Sequence, residues 1–146
     1  MTSPIKLATC TYQEFTPDMG TPVRTTAGRP RFALPYPMTA HARLITPSWD
    51  LVRAGLPQDA YEFQYRRALN ETGLEQIQAE LLRIAGAYDL DSPLVLLCFD
   101  KLNQLPARDA WCHRTHFGKW YAEQTGVDVP ELGALPKQAP AQGGLF

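Results

Sequence analysis

Apolar and polar residues change rhythm along this chain. Over Ile5–Tyr12 they alternate, with Ile5, Leu7 and Thr9 on one side and Lys6, Ala8 and Cys10 on the other, the two-residue period of a strand. A second short strand is expected at Ala42–Ile45. Residues 21–37, TPVRTTAGRPRFALPYP, have no period and read as an ordered loop hugging the core. Eight of the 13 prolines lie in the first 57 residues, which discourages long regular elements there, because proline lacks a backbone donor. The period then lengthens. After Leu56-Pro57, the residues Ala60, Tyr61, Tyr65, Ala68 and Leu69 recur at helical spacing, with Gly73 as the stop. Thr72 with Glu75 has the spacing of a capping box for a second helix carrying Ile77, Leu81, Ile84 and Tyr88. Asp91-Ser92-Pro93 reads as a turn. Leu94–Phe99 is apolar on both faces, as a buried central strand is. A last helix is expected over about 110–125, capped by Asp109 and ended by Gly126, with Trp111, Phe117, Trp120 and Tyr121 as its packing mass. Helix, buried strand and helix in succession predict an α/β fold: a small single domain over 1–132 with a short central sheet flanked by helices and an irregular, proline-rich N-terminal half.

Composition narrows the function classes. The chain has 146 residues, 45% hydrophobic and 20% charged, the balance of a globular domain. A net charge of -1 excludes both a strongly basic nucleic-acid wrapper and an acidic disordered segment. The longest apolar run, Leu94–Phe99, is too short to cross a membrane, and MTSPIKLATC lacks a signal-peptide core. Three cysteines without an export signal suggest a cytoplasmic protein whose thiols are free, catalytic or metal-bound.

The sharpest chemistry lies between Cys98 and His116. Cys98 and Asp100 fall at the C-terminal edge of the predicted strand, the edge where open α/β sheets bind ligands. Cys112, His113, Arg114 and His116 open the final helix, whose N-terminal dipole and neighbouring cations favour a thiolate. Cys112 is thus the expected nucleophile or sulfur carrier, with Cys98 resolving it or shaping the pocket, His113 or His116 as general base and Asp100 orienting one of them. A second reading makes Cys98, Cys112 and His116 zinc ligands, with Asp100 or His113 as the fourth, since positions 112 and 116 share one helical face; no C-x-x-C pair supports it. A third makes the cysteines buried small hydrophobes and the histidines structural.

LVLLCFD followed by WCHRTHFGKW resembles the signature of a bacterial and phage family, domain of unknown function 488, whose members pair a strand ending Leu-Leu-Cys-x-Glu with a helix opening Cys-His-Arg. Cys98, Cys112, His113 and Arg114 match it; Asp100 stands where the family more often has Glu. Val23-Arg24 and Pro30-Arg31-Phe32 echo its first half. The resemblance implies an α/β fold with these residues in one pocket and assigns no reaction.

Two further segments suggest partners. Arg24, Arg29 and Arg31 lie close together with Thr25, Thr26, Gly28, Phe32 and Tyr36, a set suited to the phosphates and base of a nucleotide or nucleic-acid strand, or equally to a solvated loop paired with acidic residues. Arg24 folded beside Arg114 would make an anion clamp over Cys112. Residues 133–146 read as a disordered tail ending Gln142-Gly143-Gly144-Leu145-Phe146, which resembles the Q-x-x-L-F peptide that docks bacterial proteins on the sliding clamp through Gln142, Leu145 and Phe146. Alternatively, Leu145 and Phe146 tuck back onto the body. Two functions remain: a thiol-dependent activity on a nucleotide or nucleic-acid substrate, or a non-catalytic adaptor of DNA metabolism with a structural or zinc-binding Cys/His cluster.

Overall fold

The computed structural model describes residues 5–38, 40–104 and 111–135. Four parallel strands form one sheet in the order β1-β4-β2-β3: β1 Leu7–Thr11, β2 Thr21–Arg24, β3 Ala40–His41 and β4 Leu94–Cys98. Four α-helices accompany it: α1 Trp49–Arg53, α2 Gln58–Thr72, α3 Leu74–Tyr88 and α4 His113–Thr125. The protein is thus a small α/β domain. No helix among the described residues is long and apolar enough to cross a membrane.

Strand alternation divides the core. Leu7, Val23, Leu94 and Leu96 face α2, α3 and α4, meeting Tyr65, Leu69, Ile77, Leu81, Phe117 and Trp120. Ala8, Cys10, Val95 and Leu97 face the other way, onto Tyr12, Phe15 and Tyr36. Helices therefore cover one face of the sheet. The irregular stretches after β1 and β2 cover the other, burying Tyr12, Phe15 and Tyr36 while much of the proline-rich segment stays exposed.

Four local expectations are corrected. The segment read as wholly loop contains β2, an inner strand despite Pro22. The Thr21 and Thr25 amides donate to the carbonyls of Pro93, just before β4, and Leu97 within it, so the missing donor of Pro22 faces the β3 side, and β3 reaches only Val23 and Arg24. The second strand is Ala40–His41; Arg43–Ile45 is a 3-10 turn whose Arg43 and Leu44 amides both donate to the buried Glu80 carboxylate at 3.0 Å. No Thr72/Glu75 capping box forms, because Gly73 at φ +94° ends α2 and starts α3 by itself. Finally, α4 starts at His113 with Cys112 as its N-cap, while the expected cap Asp109 lies outside the described residues. The stop at Gly126, φ +76°, agrees with the sequence.

Candidate functional site

β4 is buried on both faces and delivers Cys98 to the C-terminal edge of the sheet, opposite Thr11 of β1 and on the helical side. Cys112 arrives from the N-cap of α4. The Thr115 amide and hydroxyl donate to the Cys112 carbonyl at 3.0 and 2.7 Å, and Thr115 Oγ1 accepts the Cys112 amide at 3.2 Å. The two anchored thiols meet with Sγ atoms 2.7 Å apart. Cys10, also free, packs in the opposite half of the core.

Arg114 organises the pair. Its side chain is 1% exposed, and Nη1 donates to Cys98 Sγ at 2.8 Å, Cys112 Sγ at 3.0 Å and the Asp100 carbonyl at 2.9 Å. Nε and Nη2 grip Glu131 through both carboxylate oxygens, at 2.8 and 3.1 Å. Glu131 is fixed in turn by the Thr9 hydroxyl at 2.7 Å and by the Gly133 amide at 3.0 Å. The Ala134 amide reaches Glu14 at 3.0 Å, so the start of the segment read as a tail is tied to the body. Burial opposes charge on Arg114, but the two sulfurs and Glu131 more than offset it and hold the guanidinium ionised.

The thiols respond in opposite directions. For Cys98, burial resists ionisation, but the Cys112 hydrogen bond and the Arg114 charge overcome it and pull its pKa below the ordinary thiol value. Burial and the hydrogen bond it gives to Cys98 push the Cys112 thiol well up. The anion of the pair is therefore held on Cys98, whereas the helix-dipole argument favoured Cys112. The dipole is outweighed by burial and by the hydrogen bond shared with Cys98, which favours an anion on only one of the two sulfurs.

The histidines separate. His113 Nε2 lies 2.9 Å from Thr25 Oγ1, whose hydroxyl donates to the Leu97 carbonyl. Thr25 must then accept from Nε2–H, leaving the lone pair on Nδ1. Burial, reinforced by Arg114, lowers the His113 pKa to about 3, so the ring is neutral at physiological pH. Cys98, Cys112 and His113 bring two sulfurs and a ring nitrogen within 4.8 Å of one another, a donor set able to hold a metal ion. His116 is not in that set. It is fully buried between Tyr61 and Trp111, ring centroids 6.0 and 5.3 Å away, with neither nitrogen hydrogen-bonded and Nδ1 3.7 Å from Glu62. Nor does Asp100 orient either imidazole: His113 is bonded to Thr25, and its own link to the cluster is its carbonyl.

A cleft of about 400 Å³ opens onto the thiols, the size of a small-ligand site. Trp49, Tyr61, Phe99 and Trp111 supply broad ring surface; Thr26, Asp100 and His113 supply polar edges. Arg24 is not among its walls. Arg24 sits in register with Leu97, on the loop face of the sheet, while Cys98 points to the helical face. Its Nε and Nη2 donate to the Thr26 and Ala27 carbonyls at 2.8 and 2.6 Å, shaping the loop that borders the thiol cleft. The Arg24/Arg114 clamp does not form. Arg29 and Arg31 are exposed on the same loop. Gln142, Leu145 and Phe146 lie outside the described residues.

Sequence reasoning missed Glu131, the anchor of Arg114, and Thr25, the anchor of His113. Glu131 sits in an unpatterned stretch, and nothing local marks it as the partner of a residue 17 positions earlier. Comparison with family models, with curated proteins and with solved structures finds no match to the chain.

Proposed function

We propose that the protein is a thiol-dependent enzyme acting on a planar, nucleobase-sized substrate in the cleft above Cys98 and Cys112. The observation that carries this reading is the buried Arg114 with one nitrogen on both sulfurs. A fixed cation at a close thiol pair stabilises a thiolate and readies it for attack. Cys98 is the nucleophile, and the Cys112 S–H, already directed at it, is the proton donor for the group that leaves. His113 Nδ1 supplies a neutral acceptor. Arg114 is a positioning residue, because its Nε and both terminal nitrogens are bonded within the protein. The ring-lined walls favour a flat heteroaromatic ligand, as the nucleotide reading of the sequence expects. Such a thiol chemistry belongs in the reducing cytoplasm, and the Q-x-x-L-F ending offers recruitment to a sliding clamp.

The test is alkylation of the full chain across pH, read by peptide mass spectrometry, with and without chelator. Cys98 is expected to label at lower pH than an ordinary thiol and well ahead of Cys112. Equal, slow labelling of both across the range sinks the proposal. A second reading rests on the Cys98, Cys112 and His113 donors: a zinc-bound, non-catalytic adaptor. Zinc thiolates at about 2.3 Å in tetrahedral geometry need wider sulfur spacing, and Arg114 already stands as the cation on both sulfurs. Stoichiometric zinc, with labelling released only by chelator, would instead favour the adaptor.

A further inference from the structure

On the opposite face of the sheet, the C-terminal ends of β2 and β3 open into a second cleft of about 360 Å³. Arg24, Arg29 and Arg43 line it together with His41, Phe32 and Tyr36, and no carboxylate among the described residues does. Arg29 and Arg43 have no ion pair among the described residues. Arg24 is pinned to two carbonyls through Nε and Nη2, which leaves Nη1 as a donor in a set position. Glu80, on the neighbouring α3, accepts the Arg43 and Leu44 amides with both oxygens and is 6% exposed, so it is committed to the backbone. The Tyr36 hydroxyl donates to the Tyr12 carbonyl at 2.7 Å and is a wall. Phe32 remains 41% exposed at the rim, its ring edge-on to Phe99.

We infer that this cleft binds the phosphate of a nucleotide unit, with Arg24, Arg29 and Arg43 as donors and Phe32 as the stacking surface for its base. Convergent guanidinium groups without a carboxylate partner are matched by a phosphate's oxygens, and an exposed ring beside them accepts any base. The site lies on the far side of the sheet from the thiols and does not rest on their chemistry.

His41 reports on occupancy. Its Nε2 lies 3.1 Å from Thr46 Oγ1, whose hydroxyl donates to the Ala42 carbonyl, so Nε2 carries the proton and Nδ1 is free to take another. Burial first, and then Arg24, Arg43 and Arg29, lower its pKa to about 4. A bound anion reverses the arginines' effect. The His41 pKa then rises on binding, and protonation of its ring favours the complex.

The experiment follows the His41 imidazole by NMR across pH in the full chain, with inorganic phosphate, a nucleoside monophosphate or a short oligothymidylate. Each probe that binds is expected to raise the His41 pKa by about 1 unit. Arg29→Ala and Arg43→Ala, both changes of partly or wholly exposed side chains, should each weaken binding by about tenfold. Phe32→Ala should weaken the mononucleotide and spare phosphate. Tighter, more salt-sensitive binding of the oligonucleotide identifies a strand; equal binding per phosphate identifies a free nucleotide. No His41 shift with any probe, or undiminished binding in Arg43→Ala, overturns the proposal. Cys98 alkylation run in parallel should be unchanged in both arginine variants, so failure here is distinct from failure of the thiol reading.

Discussion

At the scale of single residues, the thiol pair depends on a chain of contacts that runs inward from a carboxylate. Glu131 holds Arg114, and Arg114 holds both sulfurs. Glu131→Gln keeps the shape but removes the charge that anchors the guanidinium. The expected result is a lower Cys98 pKa and faster labelling at neutral pH, because no carboxylate then offsets the guanidinium charge on the two sulfurs. It should come with a loss of about 3 kcal/mol in stability, the lower end for breaking a buried pair. Unchanged labelling kinetics would mean that the Glu131 charge does not reach the thiols. His116 makes a contrasting case. Both its nitrogens are buried without hydrogen bonds in an aromatic sandwich, so His116→Phe should raise stability by about 1 kcal/mol in urea titrations. Because its ring stands outside the thiol group, Cys98 reactivity should survive that change. A collapse of reactivity would restore His116 as the proton acceptor that helix spacing suggested.

At the scale of elements, the sheet edge is set by two tight junctions. Gly20 precedes β2 at φ +147°, and a Cβ there would run into the Pro93 carbonyl oxygen just before β4. Gly20→Ala meets both a strained backbone and a rigid neighbour, so it should cost well over about 1 kcal/mol by chemical denaturation. A neutral result would show that β2 can shift without disturbing β4. The second junction is Glu80, which satisfies two amides of the turn after β3. Glu80→Ala should cost about 2–3 kcal/mol, since both donors stay buried without an acceptor. It should also loosen Arg43, and with it the arginine cleft, which amide exchange in residues 40–46 would register.

At the scale of the whole molecule, all three histidines are depressed in the folded state: His41 to about 4, His113 to about 3, and His116 downward, each chiefly by burial. The unfolded chain takes up protons near the ordinary histidine value of 6.5, and the folded chain refuses them until lower pH. Folding stability is therefore full above that value and lost as the pH falls below it, by up to about 1.4 kcal/mol per pH unit for each histidine. The lowered carboxyls, Asp89 and Glu123, add their losses only near and below their ordinary values of 3.8 and 4.5. Urea midpoints measured from neutral pH to about pH 5 should fall steadily, and His41→Gln should flatten the slope. A level profile over that range would contradict the burial of these rings.

Local pattern determined much of this protein. The alternation at Ile5–Tyr12, the doubly apolar Leu94–Phe99, the helical spacing after Pro57 and the glycine stops at 73 and 126 each follow from backbone sterics or burial, and all appear in the fold. The meeting of Cys98 with Cys112 was legible too, because a strand end and a helix start at one sheet edge bring such residues together. Other features were decided by partners distant in the chain. β2 exists because β4 and β3 flank it, and Pro22 is tolerated there because β3 is only two residues long. Which thiol ionises, which histidine joins the sulfurs and which carboxylate anchors Arg114 turn on burial and hydrogen bonds across 14 to 88 positions of sequence. The face assigned to Arg24 turned on strand register, since a one-residue slip would have carried it to the thiols. A sequence specifies period and chemical type through neighbours three or four residues away. Desolvation, register and pairing at the site are properties of the packed chain alone.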